Sequence, residues 1–404
     1  MVARPPVLDA LSVVLPTAEE TSLLRVCLSS DERSRQSWAQ WQRLRTDGAN
    51  SFLGDSPSVK KLWPLVYEAV RRYGLEVDKE SQTYLRSARL KEELRINIFR
   101  RVCVEVLQLL QKGNVPTIVL KGVALAETVY NSPVLRHCHD IDLLIEYEDL
   151  NRAEMLLRSI GFKRVDQTPD PEGDDCKLEH ESGLLLELHS RLFDTTLCKE
   201  RLSEVWGRSK SCVIAGVQAR ILSPADNLFH VCGHAFYSSS RQSLQWVCDA
   251  SLIIDRHRDL NWGLLLDCAE RTHLALPLAV TLGYLAENLN VPVPATFLDS
   301  LFAAAAKITG IERELTFFRA RTSSQEGLGK FLRKARGWRG KALLIQWMIF
   351  PSPTYLSRVE GICHSRLCLC ITFIDRFDML GIAPTPNALA FSGSSSGASS
   401  GYSR

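Results

Sequence analysis

The sequence predicts an α+β protein in which a small mixed sheet is flanked by N-terminal helices and a helical C-terminal domain. Three observations predict it. Residues 1–112 repeat apolar side chains at helical spacing. From Pro116 the period shortens, and short β-branched or alternating runs are cut by Gly, Pro and Asn. From Ser223 the helical period returns.

The elements follow in order. Trp38, Trp41 and Leu44 share a helix face, as do Leu62, Val66, Ala69 and Val70 between Ser58 and Tyr73. Ser81 to Lys112 reads as one long helix with a stripe of Ile98, Val102, Val106, Leu109 and Leu110, stopped by Gly113-Asn114. Thr117 to Leu120 is a strand, Val123 to Tyr130 a helix, and Cys138 to Ile145 the next strand. Asp149 to Ser159 is a helix with Ala153, Leu156 and Leu157 inward, and Phe162 to Val165 a strand. Asp166 to Asp175 is a loop by its Pro, Gly and Asp content. Leu178 to His189 forms a hairpin turning at Glu181-Ser182-Gly183, and Val213 to Leu222 forms another. Ser223, Pro224 and Asp226 start a helix. Amphipathic helices follow over Gln242 to Arg256, Trp262 to Arg271 and Leu276 to Leu289, with more helix up to about Arg376.

At 404 residues, with 45% hydrophobic and 24% charged residues, the chain has room for several domains of roughly 100–200 residues. The pattern divides it into an N-terminal helical region at 1–112, a mixed-sheet core at 113–222, a helical domain at 223–380 and a disordered Ser/Gly-rich tail at 381–404. A net charge of +3 makes no general case for nucleic-acid binding. The longest clean apolar run, Ala342 to Phe350, is interrupted by Gln346 and falls short of the ~20 residues that span a bilayer. The N-terminus lacks a secretion pattern. The 12 cysteines are scattered with no Cys-x-x-Cys, as buried thiols of a cytoplasmic protein are. Cys363, His364, Cys368 and Cys370 match no common zinc spacing and read as core.

The chemistry concentrates in Asp140-Ile141-Asp142-Leu143-Leu144-Ile145. On a strand Asp140 and Asp142 share one face and Ile141 takes the other. Paired carboxylates on an apolar strand resist burial unless a divalent cation sits between them. Glu187 lies in Leu184 to His189, where Leu185, Glu187 and His189 share a face. If the two strands adjoin, Asp140, Asp142 and Glu187 form a three-acid site for one or two Mg²⁺ (or Mn²⁺) ions that also hold a triphosphate. Lys121-Gly122 falls where a strand passes into a helix. Gly122 allows an unusual backbone angle and close phosphate approach, the helix start favours anions, and Lys121 adds a charge. Arg136 either contacts phosphate or base, or salt-bridges an acid of the site. His189 orients an acid, contacts substrate or packs with its own hydrogen bond.

Other polar residues draw plainer expectations. His137 and His139 face solvent at the start of a strand. His230 and His234 share a helix face, but no Glu follows His230, so the metalloprotease pattern is absent. That helix is expected to pack on the sheet, with His234 near the nucleotide as the less favoured alternative. Asp249, in an apolar helix, needs a partner such as His234 or a helix N-terminus. The basic segment Lys330 to Lys341 reads first as a solvated helix face, and second as a surface for RNA, an anionic membrane or an acidic partner.

Leu-Lys-Gly, a helix ending in Tyr, Arg-x-x-x-Asp-Ile-Asp-Leu-Leu-Ile and Glu-Leu-His together resemble the uncharacterised nucleotidyltransferase family of the DNA polymerase β-like nucleotidyltransferase superfamily. The resemblance is clearest over about 116–190 and continues through His230 to His234 and Leu244 to Asp249. It implies that Asp140 and Asp142 are the paired metal-binding acids and Glu187 the third. It also implies transfer of a nucleoside monophosphate from a nucleoside triphosphate to an acceptor, with pyrophosphate released. The acceptor is left open: a sugar, small metabolite, peptide, protein hydroxyl or RNA end. Where the superfamily usually carries Gly-Ser, this chain has Lys-Gly, so the serine hydroxyl is missing. The alternatives are a non-catalytic nucleotide-binding or toxin-antitoxin-type module on the same fold, and a helical scaffold with incidental acids.

Overall fold

The computed structural model describes residues 5–29, 31–45, 55–165, 175–193, 201–237 and 243–308, with the single positions 313 and 316. All belong to one unit, Met1–Ser324. The basic segment, the cysteine-rich cluster at 363–370, the loop at 166–174 and the Ser/Gly-rich tail lie outside the described residues.

A 3-10 segment, Pro6–Val14, leads into helices α1 (Ala18–Leu28), α2 (Asp31–Leu44), α3 (Pro57–Lys60), α4 (Trp63–Tyr73) and α5 (Lys79–Lys112). Local chemistry starts them: Thr17 and Glu20 form a reciprocal capping box on α1, and the Asp78 carboxylate accepts from the Ser81 amide on α5. The buried row of α5 runs through Phe99, Cys103, Val106 and Leu110. Ile98, expected in that row, is 45% exposed. One residue is about 100° of helix rotation, which carries it past the edge of the stripe.

The sheet follows, with strands β1 (Ile118–Val119), β2 (Asp140–Leu144), β3 (Phe162–Arg164), β4 (Asp175–His180), β5 (Leu185–His189), β6 (Lys210–Ile214) and β7 (Val217–Ile221). Helices α6 (Lys121–Thr128), α7 (Leu150–Arg158) and α8 (Leu202–Arg208) are interleaved with them. The strand order is β3-β4-β5-β2-β1-β7-β6. β2 runs parallel to β5 and antiparallel to β1, and β7 runs parallel to β1. The β6–β7 hairpin therefore extends the main sheet instead of standing apart. Its two-residue turn has positive φ at both Ala215 and Gly216, the geometry that matches strand twist. Helix α8 was not foreseen, and Asp175, expected in a loop, already begins β4.

Helices α9 (Pro224–Tyr237), α10 (Gln245–Arg256), α11 (Trp262–Arg271), α12 (Ala275–Leu289) and α13 (Ala295–Lys307) complete the described chain. Apolar burial divides by sheet face. Ile141, Leu143, Leu186 and Leu188 pack against α5 and α7 in one core. Ile118, Leu120 and Leu144, on the other face, belong to a larger core shared by the N-terminal helices and α9 to α13. The polar site lies on this second face, beneath α9. Among the described residues no helix is long and apolar enough to cross a membrane.

Candidate metal and nucleotide site

The pairing of β2 with β5 sets Asp142 opposite Glu187 and Asp140 opposite Leu185. In-register neighbours on parallel strands project to the same face, so the acid of one strand meets the acid of the other. His189 follows Glu187 by two residues and shares that face. Its Nε2 is 3.1 Å from Asp142 Oδ1 and 3.6 Å from Glu187 Oε2. One donor atom from each of Asp142, Glu187 and His189 lies within 4.8 Å of the others. Two carboxylates and an imidazole on one sheet face are a donor set that fits a divalent cation.

Asp140 stands apart from that group. It heads β2, and its Oδ2 is 3.0 Å from Nε2 of the exposed His139. Of the three acids expected to share the site, Asp142 and Glu187 face each other with His189 beside them, while Asp140, on the same sheet face, is turned to His139. The reason is local: the strand's first residue lies beside the incoming His137–His139 segment, and the His139 imidazole pairs with its carboxylate.

Asp142 is almost fully buried yet strongly acidic. Burial opposes its ionisation, but the Lys121 ammonium and His189, with a smaller effect from His234, outweigh that and hold the carboxyl well below the usual carboxylate range. Lys121 Nζ is 3.4 Å from Asp142 Oδ2 and 3.0 Å from His234 Nε2. Burial pushes the His234 pKa well below its ordinary value, and the Lys121 cation pushes it further. A neutral ring whose Nε2 accepts from the ammonium carries its proton on Nδ1. This contact sets the His234 ring beside Lys121, the residue that also approaches Asp142.

Lys121, not Gly122, takes the unusual backbone angle, with φ of 34°. A non-glycine residue there is strained, and such strain concentrates at ligand-binding turns. Gly122 packs closely over Arg136 and the start of β2, with room for no more than a methyl group. A Cβ at that position would lie 3.5 Å from both Arg136 Nη1 and the Asp140 carbonyl oxygen.

Arg136, expected either at a phosphate or on an acid of the site, is committed to an acid elsewhere. Its Nε and Nη2 donate to Asp249 Oδ1 and Oδ2, each at 2.8 Å, and Tyr130 Oη donates to Oδ1 at 2.7 Å. Asp249 therefore finds its partner in Arg136 and Tyr130 instead of His234 or a helix end. Arg136 lies under Gly122 and ties the β2 approach to α10. His137, expected in solvent, holds the buried Glu92 at 2.8 Å.

Two further residues escaped the sequence. Lys177 Nζ reaches Glu187 Oε1 at 3.2 Å from β4, a contact that follows from their register pairing. Lys61, between α3 and α4, is half-buried. Burial lowers its pKa and the neighbouring Asp140 carboxylate raises it. No local pattern in the sequence marks it, because only the fold brings α4 to the start of β2.

A solved structure similar to this chain is that of an antigenic nucleotidyltransferase-like protein from Paracoccidioides brasiliensis. It is 18% identical over 49% of this chain and 95% of that one, with a TM-score of 0.31. A superposition that loose carries no weight for fold or function. No curated protein sequence matches the chain. The family described as uncharacterised nucleotidyltransferase matches residues 58–290, more than half of the sequence and all of the site. This protein belongs to the uncharacterised nucleotidyltransferase family.

Proposed function

We propose that this chain moves a nucleoside monophosphate from a nucleoside triphosphate to an acceptor hydroxyl, releasing pyrophosphate. The observation that carries the reading is the register match of Asp142 with Glu187 on one sheet face, with the Lys121 ammonium 3.4 Å from Asp142 at the start of α6. A bound divalent cation, Mg²⁺ or Mn²⁺, would neutralise phosphate charge and polarise the reacting phosphorus centre. Asp142 and Glu187 would hold that cation. Asp140 shares their face and joins them if its side chain turns away from His139. Lys121 and the amides at the start of α6, beside Gly122, would seat the β- and γ-phosphates. Glu187 is the candidate to take the acceptor's proton. Its side chain is 22% exposed, against 3% for Asp142 and 14% for His189, so it is the most open of the three. A sugar, metabolite, peptide or protein hydroxyl suits the near-neutral chain better than nucleic acid.

The test is transfer of label from each of the four α-³²P-labelled triphosphates, with Mg²⁺ or Mn²⁺, into cell-extract acceptors. Transfer should fall on the order of 100-fold or more in Asp142→Asn and Glu187→Gln, with circular dichroism unchanged. No transfer from any triphosphate would overturn the reading. One observation favours a second reading, a non-catalytic nucleotide-binding module. Lys121 and His189 already compensate the charge of Asp142 from within the chain. Triphosphate binding without transfer would select it.

A further inference from the structure

The donor set beneath α9 has a nitrogen in it, and this bears on which cation it takes. His189 Nε2 is directed between the two carboxylates, 3.1 Å from Asp142 Oδ1 and 3.6 Å from Glu187 Oε2. Around a cation with bonds of about 2.1 Å, neighbouring donors stand about 3.0 Å apart in an octahedron and about 3.4 Å apart in a tetrahedron. The 3.1 Å separation is close to an octahedral edge, and the 3.6 Å separation is longer than either, so Glu187 draws in toward His189 when a cation binds. All three donors come from the adjacent parallel strands β2 and β5, so the sheet fixes their spacing without help from a loop. Asp140, paired with His139, lies outside this face.

We infer that His189 is a direct cation ligand, and that Asp142, Glu187 and His189 form a three-donor face which binds Mn²⁺ in preference to Mg²⁺. The inference rests on the proposed cation-dependent reading of the same site and deepens it. Mg²⁺ is a hard ion that takes oxygen donors and keeps its waters, whereas an imidazole nitrogen raises affinity for first-row transition ions. Replacing one oxygen by nitrogen therefore weakens the case for Mg²⁺ and strengthens that for Mn²⁺. Coordination requires Nε2 to be free of its proton, so Mn²⁺ entry replaces the hydrogen bond from His189 to Asp142 with a shared cation. Lys121 sits close to Asp142 on its other oxygen, Oδ2. A cation held through Oδ1 leaves that contact free to persist or to move to a phosphate.

The experiment uses the full chain with Mn²⁺ alone as the probe. Pulsed electron paramagnetic resonance of the Mn²⁺-loaded protein should show coupling to ¹⁴N, replaced by ¹⁵N coupling when histidine is ¹⁵N-labelled. The labelling arm needs no variant and so survives any folding defect. The coupling should vanish in His189→Asp and remain in His234→Gln. Titration should show Mn²⁺ binding at least 10-fold tighter than Mg²⁺ in the wild type, with that ratio reduced at least threefold in His189→Asp. Mn²⁺ bound without nitrogen coupling, no Mn²⁺ binding, or an unchanged ratio in His189→Asp would each overturn the inference. Nitrogen coupling in a protein that transfers no nucleotide would leave this ligand face standing and remove the transferase reading. Mg²⁺-supported transfer with no nitrogen coupling would do the reverse.

Discussion

Arg136 and Asp249 form a two-pronged ion pair across 113 residues of sequence, with both contacts at 2.8 Å and both side chains buried. Tyr130 closes the group on Oδ1. Removing one partner of a buried pair leaves an uncompensated charge, which costs about 3–5 kcal/mol, whereas an apolar replacement of both is often close to neutral. Asp249→Ala should therefore lower unfolding free energy by that amount, and Arg136→Met with Asp249→Leu should recover most of it. Urea denaturation of the three proteins checks this.

The strain at Lys121 separates backbone from side chain. Its φ of 34° costs any residue with a Cβ about 1–2 kcal/mol relative to glycine. Lys121→Gly should be more stable than Lys121→Ala by about 1 kcal/mol, once the greater freedom of glycine in the unfolded chain is set against it. Both variants lose the ammonium near Asp142, so both should lose triphosphate affinity. Melting curves and nucleotide titrations on the pair separate the two effects.

Gly233 on α9 is held small by the ring of Phe193. An added Cβ would lie 2.6 Å and 2.7 Å from two of its carbons. Phe193 is itself buried, edge-on to Phe229 and His230, so the ring has little room to retreat. Alanine would gain about 1 kcal/mol in helix propensity. Overpacking costs about 1–3 kcal/mol, and here it should win. Gly233→Ala should lower stability and also weaken the contact of His234 with Lys121, read as a shift in the His234 ring signals by nuclear magnetic resonance.

His230 makes stability depend on pH. Burial, reinforced by the Lys121 cation, pushes its pKa well below the ordinary value, and its Nδ1 has no hydrogen-bond partner among the described residues. The folded state keeps this ring neutral while the unfolded chain protonates it below about pH 6.5. The unfolded state then binds more protons, so its contribution is fully present above pH 6.5 and is lost as pH falls. The slope reaches about 1.4 kcal/mol per pH unit. His230→Leu should flatten the fall in stability between pH 6.5 and 5 by up to that slope, as measured by urea midpoints at each pH.

Much of the site could be read from local pattern. The alternation of Asp140, Ile141, Asp142 and Leu143, and of Leu185, Leu186, Glu187 and Leu188, assigns each side chain to a face before any fold is known. The buried Leu186 and Leu188 and the more open Glu187 and His189 agree with that assignment. The resemblance carried the family, and the match over residues 58–290 bears it out. The elements at 57–128 and 140–307 were largely legible as well, because helix caps and turn residues act over a few positions. Helix α8 was missed because its seven residues make barely two turns, so Leu202, Val205 and Trp206, though at helical spacing, complete a single repeat.

Periodicity and motif spacing determined the α+β class, the faces of β2 and β5 and the location of the acids. They could not say which charges would meet. A carboxylate takes the cation that the fold brings nearest, and that distance is set by strand register and helix docking between residues remote in sequence. So only the tertiary structure decided that Asp142 joins Glu187 and His189 while Asp140 turns to His139, that Arg136 is claimed by Asp249, and that strain settles on Lys121 one residue before the glycine.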